Sequence, residues 1–168
     1  MGDPAIVVAE LRKSYGDVEA VAGIDLTVEA GEVFALLGPN GAGKSTTVRI
    51  LTTLSAPTAG RACVAGFDVV EEPGEVRRRI GYVAQASGVD ITGTGRENLT
   101  LQGHLYRLPA AQIRARVEEL LRLFQLESAA DRPAMTYSGG MKRRLDVAMG
   151  LIHQPEVLFL DEPTTGLD

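Results

Sequence analysis

Short apolar runs separated by polar or glycine-containing turns dominate the first half of the chain. Ile6–Leu11 and Val18–Val28 flank a polar turn at Tyr15–Asp17, and the second run partly alternates apolar with polar residues. Runs of this kind between turn residues are typical of β-strands. The pattern therefore predicts an antiparallel ribbon, followed by shorter strands at Val33–Leu37, Arg61–Ala65, Ile80–Ala84 and Val157–Leu160.

The second half of the chain carries apolar positions at helical spacing. Arg96–Arg107 and Ala110–Phe124 are predicted helices, separated by Pro109, which cannot lie inside a helix. Along the second of them runs a single apolar stripe, typical of core packing, that consists of Ile113, Val117, Leu120, Leu121 and Phe124. Helices inserted between strands of a sheet indicate a helical lobe beside an α/β core. A flexible polar loop is predicted at Ala86–Gly95, just before this lobe.

Composition narrows the classes of function. The chain has 168 residues, the size of one domain, and its formal net charge of −5 argues against a broad nucleic-acid-binding surface. No apolar run approaches the roughly 18 residues needed to cross a bilayer, so any work at a membrane requires a partner. We recognise no secretory signal near the N-terminus. The single cysteine, Cys63, is interpreted as a small buried hydrophobe.

A glycine-rich segment follows the predicted strand Val33–Leu37 and leads into a predicted helix. Two of its glycines bracket four residues before Lys-Ser, which is the spacing of a phosphate-binding loop whose backbone N–H groups contact phosphate oxygens. The start of the helix adds unpaired N–H groups and the positive end of its dipole. We expect Lys44 to reach the outer phosphates and the Ser45 hydroxyl to hold Mg²⁺. The predicted contacts are Gly38, Pro39, Asn40, Gly41, Ala42, Gly43, Lys44, Ser45 and Thr46.

Polar residues follow two of the predicted buried strands. Asp161 and Glu162 come directly after Val157–Leu160, where two carboxylates are costly unless they have a role. In a protein with a phosphate loop, Asp161 can hold Mg²⁺ through water, and Glu162 can polarise the attacking water as a general base. Gln85 follows Ile80–Ala84. There it either orients a metal ion or an attacking water, or caps and packs the loop.

Two further positions have more than one interpretation. Ser138 is a natural N-cap for a helix that opens with Gly139 and Gly140, and its first turn is crowded by Lys142, Arg143 and Arg144. Because the helix dipole disfavours cations there, they indicate either a site for an incoming anion or a solvated basic face. Tyr15 is either packed against the sheet or left to stack on a flat ligand such as a nucleobase.

In this order the motifs resemble those of the nucleotide-binding subunit of an ABC transporter, over essentially the whole chain. The matched motifs are the adenine-stacking aromatic at Tyr15, Walker A at Gly38–Thr46, the Q-loop glutamine Gln85, the ABC signature at Tyr137–Met141, Walker B at Val157–Asp161, the catalytic glutamate Glu162 and the D-loop at Thr165–Asp168.

The resemblance implies an α/β fold of the P-loop NTPase (RecA-like) class. In that fold an ABC ATPase core carries an antiparallel β subdomain and an inserted helical subdomain. It implies that residues 1–85 and 155–168 form the β subdomain and ATP-binding core, and that about residues 86–154 form the helical signature subdomain. It also implies that the C-terminal part of the core is missing.

The function implied by the resemblance is ATP hydrolysis with Mg²⁺, in which Ser45, Gln85 and Asp161 contact the metal. Two copies pack head to tail, so that ATP on Lys44 of one copy is covered by the signature of the other, at Ser138, Gly139 and Gly140. A separate permease subunit at the cytoplasmic face of the cell membrane converts the cycle into transport. No nucleic-acid partner is implied. Tyr137–Met141 and the residues after it are most similar to daunorubicin-resistance-type exporters of drugs and antibiotics.

Two departures from the family pattern affect these expectations. Tyr137 and Met141 stand where the commonest signature has leucine and glutamine. The family's switch histidine has no counterpart, because His104 and His153 both precede Walker B. The chain is therefore interpreted as a piece of a longer subunit. By itself, this piece is expected to bind nucleotide weakly and to hydrolyse it poorly. Two alternatives remain, namely a soluble ABC-type ATPase that acts on ribosomes or DNA, and a catalytically silent nucleotide-binding protein.

Overall fold

A computed structural model of the chain describes residues 3–161. It contains two compact units, which divide after Ile80. The elements of the first unit are β1 (Ile6–Tyr15), β2 (Val18–Val28), α1 (Lys44–Leu51), β3 (Ala59–Val64), β4 (Phe67–Asp68) and α2 (Pro73–Arg79). The strand β5 (Ile80–Val83) begins at the division. The elements after it belong to the second unit and are α3 (Gly95–Leu105), α4 (Ala110–Leu123), 3-10 turns at Glu127–Ala129 and Ala134–Thr136, α5 (Gly139–Gly150) and β6 (Val157–Leu160).

The predicted antiparallel ribbon is present in the first unit. Its sheet has the strand order β2-β1-β3-β4, with β1 antiparallel to both β2 and β3. Tyr15 pairs with Val18, so the turn is formed by Gly16, at a φ of 57°, and Asp17. The strand β1 thus continues to Tyr15, beyond its predicted end at Leu11. The apolar pattern ends before the strand does, because the backbone hydrogen bonds that join the last residues of β1 to its neighbours do not require apolar side chains.

The core of the first unit lies between this sheet and α1. It contains fully or almost fully buried aliphatic side chains from β1, β2, β3 and α1, namely Val8, Leu11, Val21, Ile50, Leu51 and Val64. Burying one such side chain stabilises the fold by about 1.5–3 kcal/mol. The packing fixes α1, and therefore the phosphate loop that precedes it, against the ribbon.

The prediction of a buried strand at Val33–Leu37 is wrong for this structure. Residues 32–39 have no regular secondary structure, and the side chains of Val33 and Leu37 are 98% and 90% exposed. A strand needs hydrogen-bonding neighbours, and no strand within residues 3–161 pairs with this segment. The apolar run shows that the segment favours burial, but the described residues provide no surface that covers it.

The three predicted helices of the second unit are confirmed as α3, α4 and α5. The ends of α3 and α4 lie within two residues of those predicted, and α5 begins at Gly139 as predicted. The stripe on α4 is buried, with Phe124 partly so, in a core shared with Leu99, Leu126, Leu145 and Ile152. The α3 N-terminus is closed by a capping box between Thr94 and Glu97, whose side chains each accept from the other's backbone N–H.

The loop after β5 is bound at several points by side chains outside it. The Asn98 side chain is buried and binds this loop on both sides, since its Oδ1 accepts from Asp90 N and its Nδ2 donates to the carbonyls of Asp90 and Thr94. Asp146 on α5 accepts from the Gly88 N–H at 2.9 Å. One nearby and one distant buried side chain therefore hold a segment whose own composition predicts a flexible loop.

Candidate functional site

The phosphate loop has the backbone that its glycines predict. The helix α1 begins at Lys44, and Gly43 caps it in the left-handed region at a φ of 83°, with Gly41 at 85°. A Cβ on Gly43 would lie 2.4 Å from the carbonyl oxygen of Ala20, so the loop also packs too closely on β2 for a side chain. The first N–H groups of α1 have no acceptor within the helix.

The Lys44 ammonium lies over its own loop. Its Nζ donates to the carbonyl oxygens of Gly38 and Pro39 at 2.7 and 2.8 Å, and both contacts are exposed. A phosphate oxygen can replace either carbonyl as acceptor, with the added attraction of opposite charge. Ser45 beside it is exposed, whereas Thr47 is buried and turned to the Gly43 carbonyl. The residues present therefore fit an anionic ligand with a metal ion at Ser45.

The Tyr15 ring stands at the end of β1 in the same unit. It is 49% exposed, so it is not a core residue of the sheet. Lys13, two residues earlier on the same face of the strand, places its Nζ 4.9 Å from the ring centroid and donates to the Ala56 carbonyl at 2.7 Å. The ring is thus supported by a cation and remains half open, as a stacking surface requires.

In the second unit, Gln85 and Asp161 follow neighbouring strands. The Asp161 N–H donates to the carbonyl of Val83 at 2.9 Å, which places Asp161 beside the end of β5, two residues before Gln85. Gln85 is exposed and Asp161 is partly buried. The structure therefore brings these two predicted residues to one edge of the two-stranded sheet. Glu162, the predicted general base, lies outside the described residues.

Tyr82 is a neighbour of this site that the sequence did not single out. Its hydroxyl donates to Oδ2 of Asp161 at 3.3 Å. Among residues 3–161, no group of three or more His, Cys, Asp and Glu side chains could hold a metal ion by itself. Mg²⁺ at phosphate-binding sites commonly uses one or two carboxylates together with substrate oxygens and water, so a carboxylate such as Asp161 suffices as the acidic ligand.

The N-terminus of α5 is exposed to solvent. Ser138 caps it as predicted, because its Oγ accepts from the Met141 N–H at 3.2 Å. Ser138 and Gly139 are exposed, and a Cβ on Gly140 would meet no atom within 4 Å. Backbone N–H groups at this end are therefore accessible to an anion from outside the chain.

Two of the three cations next to this N-terminus donate to backbone carbonyls. Arg144 Nη1 donates to the carbonyl of Phe124, which ends α4, at 2.8 Å. Arg143 Nη1 donates to the carbonyl of Ala84 at 2.9 Å. Neither alternative considered for these residues, a phosphate site or a solvated basic face, includes these carbonyl partners, and the choice between the two stays a prediction for Arg143 and Arg144. Carbonyls at a helix end or strand end attract guanidinium groups, and local sequence spacing does not reveal them.

The unusual signature residues serve the core of the second unit. Tyr137 is 4% exposed and donates its hydroxyl to the Ala129 carbonyl at 2.7 Å, and burial raises the pKa of this phenol. Met141 packs partly buried against the same core. Tyr137 and Met141 thus pack into the core of the second unit, whereas Ser138 and Gly139 between them are exposed.

We expect the Tyr137→Phe variant to lose about 0.5–1.5 kcal/mol of unfolding free energy, because its hydrogen bond to Ala129 is lost while the Ala129 carbonyl keeps the Arg132 N–H as a donor at 3.0 Å. Urea denaturation followed by circular dichroism measures this loss. Tyr15→Phe is the matched control, since its half-exposed ring lies outside the core. Equal stability of Tyr137→Phe and the unsubstituted chain would show that this hydrogen bond contributes nothing.

A cavity of about 190 Å³ opens beside the Gln85 loop in the second unit. Its lining includes Tyr82, Gly88, Gln102, Tyr106 and Asp146. The ring of His153 stacks on that of Tyr106 with centroids 3.6 Å apart, which gives this histidine a packing role.

No helix in the described part of the chain is both long enough and apolar enough to span a bilayer.

Comparison with known protein families gives one match over most of the chain. The model of the family described as ABC transporter matches residues 21–165. This range contains every predicted site residue except Tyr15.

Individual relatives agree with that match. The chain is 54% identical to the daunorubicin resistance ATP-binding protein DrrA3 of Streptomyces coeruleorubidus, over 100% of this chain and 53% of the relative. It is 47% identical to the Nod factor export ATP-binding protein I of Rhizobium meliloti, over 98% of this chain and 49% of the relative. The chain thus spans about half the length of these curated relatives.

A solved structure is also similar. The cbiO1 protein of Clostridium perfringens, part of the ABC transporter complex cbiONQ, matches with a TM-score of 0.88 and 32% identity. The match covers 99% of this chain and 68% of that protein.

Proposed function

Because this chain belongs to the ABC transporter ATP-binding family, whose members bind ATP, we propose that it binds and hydrolyses ATP with Mg²⁺ as part of an exporter's ATPase subunit. The observation that carries the proposal is the phosphate loop, in which Lys44 is held over the loop by two backbone carbonyls at the N-terminus of α1. A cation in that position, next to unpaired helix N–H groups, is suited to the outer phosphates of a nucleotide.

The proposal gives each predicted residue a role. Lys44 exchanges its carbonyl partners for phosphate oxygens and stabilises charge as the terminal phosphoryl group is transferred. Ser45 and Asp161 offer a hydroxyl and a carboxylate to Mg²⁺, which supplies charge neutralisation when bound. Gln85 orients the metal or the attacking water, and Glu162 accepts a proton from that water as the general base.

A second copy of the chain completes the site in this proposal. Ser138, Gly139 and Gly140 present an exposed helix N-terminus, and an exposed N-terminus can contact the γ-phosphate of ATP bound to the other copy. Head-to-tail packing of two copies then buries two nucleotides. ATP closes the pair, and hydrolysis reopens it.

We further propose that a separate membrane permease uses this cycle for export, with the chain held at the cytoplasmic face of the membrane. The names of the relatives support export, since one concerns daunorubicin resistance and another Nod factor export. The cavity beside the Gln85 loop and the helical residues around it, within about 86–154, offer a concave surface for the permease. The proposed cargo is a small hydrophobic compound such as a drug or antibiotic.

A soluble ABC-type ATPase that acts on ribosomes or DNA is the second candidate. The described helices between Gln85 and Ser138, α3 and α4, share one compact core that contains the buried α4 stripe, and a coiled-coil insertion would instead need an extended seam. This favours transport. Co-purification of the chain with a membrane protein distinguishes the two candidates.

Titration with a fluorescent ATP analogue tests the nucleotide site directly. We expect the Lys44→Ala variant to bind Mg²⁺-ATP at least about tenfold more weakly, because a charge-assisted contact is lost. Arg49→Ala is the matched control, because it removes an exposed cation from the same helix and should leave affinity within about twofold. Equal affinities of Lys44→Ala and the unsubstituted chain would refute the proposed phosphate site.

A further inference from the structure

Two side chains of α5 reach the backbone on either side of Gln85. Arg143 Nη1 donates to the carbonyl of Ala84 at 2.9 Å, and Asp146 Oδ1 accepts from the N–H of Gly88 at 2.9 Å. Residues three apart on a helix share a face, so one turn of α5 binds both ends of the segment 84–88. We propose that Arg143 and Asp146 are positioning residues that fix this segment and thereby set the place of the Gln85 side chain. The proposal rests on the proposed role of Gln85 at the metal or the attacking water.

The surroundings of the two residues argue against a role in stability alone. Asp146 is 7% exposed and shares its helix with the buried Leu145 and Ala148. Arg143 Nε is buried and has no hydrogen-bond acceptor among the described residues. Burying a carboxylate or leaving a buried donor unpaired is costly, and well-packed apolar side chains often serve stability better at such positions. Their polar character is explained by the backbone groups that they hold.

The same helix turn also contacts the end of β6. Arg143 Nη2 lies 3.4 Å from the carbonyl oxygen of Asp161, whose N–H is bonded to Val83 on β5. The segment with Gln85, the end of β6 and the helix that begins after Ser138 are therefore joined through Arg143 and Asp146. A displacement of α5 would move the backbone of Gln85 with it, because both of these side chains bond directly to that segment.

Amide hydrogen exchange tests the positioning without any nucleotide. Asp146→Leu removes the acceptor for Gly88, whereas Asp146→Asn keeps an oxygen at the same place. We expect exchange at Gly88 to accelerate at least about tenfold in Asp146→Leu and to stay within about threefold of the unsubstituted rate in Asp146→Asn. Asp131→Leu, at an exposed position of the same unit, is the matched control and should leave Gly88 unchanged. Unchanged exchange in Asp146→Leu would overturn the proposal.

A second pair of variants covers the case in which Asp146→Leu does not fold. Arg143→Met removes the bond to Ala84, and Arg143→Lys keeps a donor. Faster exchange across residues 85–88 in Arg143→Met than in Arg143→Lys supports the proposal, and equal exchange contradicts it. Thermal melting of every variant separates this local opening from a general loss of stability.

Coupling to Gln85 is measured by Mg²⁺-ATP binding in a double-mutant cycle. We expect Gln85→Ala and Asp146→Leu each to weaken binding about threefold to tenfold. The double variant should bind as tightly as the single variant that has lost more affinity. Additive losses, or no loss in Gln85→Ala, would overturn the positioning role. If the unsubstituted chain binds no nucleotide, the proposed function fails, while the exchange experiment still decides whether Arg143 and Asp146 hold the segment.

Discussion

Glu162→Gln is expected to lower the rate of ATP hydrolysis about 1,000-fold, because the amide cannot accept a proton from the attacking water. The exchange of a carboxylate for an amide of nearly the same shape leaves phosphate contacts in place, so Mg²⁺-ATP affinity should change little. Turnover and affinity are therefore measured separately, by phosphate release and by titration with a fluorescent ATP analogue. Glu156→Gln, an exposed carboxylate just before β6, is the matched control and should hydrolyse ATP at the unsubstituted rate.

The same hydrolysis assay is repeated over a range of protein concentrations. If two copies share each site, specific activity rises with concentration, since the signature of one copy must reach the nucleotide of the other. The comparison includes this chain and a full-length relative, of which this chain spans about half. No turnover by this chain, together with turnover by the relative, would mean that residues 1–168 alone do not suffice for hydrolysis. Turnover in Glu162→Gln equal to that of the unsubstituted protein would refute the role of Glu162.

The second large effect concerns the exposed apolar segment before the phosphate loop. The side chains of Val33 and Leu37 are almost fully exposed, and Phe34 is 46% exposed. We expect the chain to self-associate through this segment, because burying each aliphatic side chain at a contact is worth up to about 1.5–3 kcal/mol. Val33→Ser with Leu37→Ser should then weaken self-association at least about tenfold.

Sedimentation velocity over a range of concentrations measures that association. Val18→Ser is the matched control, since Val18 is 67% exposed at the ribbon turn and lies outside the segment. A double variant that associates as strongly as the unsubstituted chain would show that residues 33–37 are not the contact.

Local chemistry predicted the parts of the site that depend on local geometry. Glycines at positive φ, the start of α1 at Lys44 and the Ser138 cap depend on only a few neighbouring residues, and their spacing in sequence predicts them. The helical stripes also agree with the structure, because one apolar face of a helix suffices to predict its burial.

Contacts between distant residues explain what the sequence did not predict. Arg144 was interpreted from its place in the first turn of α5, yet its partner is the carbonyl that ends α4. Asp146 belongs to none of the recognised motifs. It accepts from the Gly88 N–H only because the loop after β5 passes next to α5. The apolar run 33–37 shows the reverse case, since a pattern that favours a strand forms none without strands to pair with. The predicted division of the chain into a core and a helical subdomain stays a prediction.

The place of Tyr15 gives the chain a built-in optical reporter. The sequence has four tyrosines and no tryptophan, so its near-ultraviolet emission comes from tyrosine alone. Tyr15 is the one tyrosine before residue 80, whereas Tyr82, Tyr106 and Tyr137 lie in the second unit. A purine stacked on the half-open ring of Tyr15 would quench that emission without an attached dye. In a Tyr15→Phe background, the remaining signal reports on the second unit by itself.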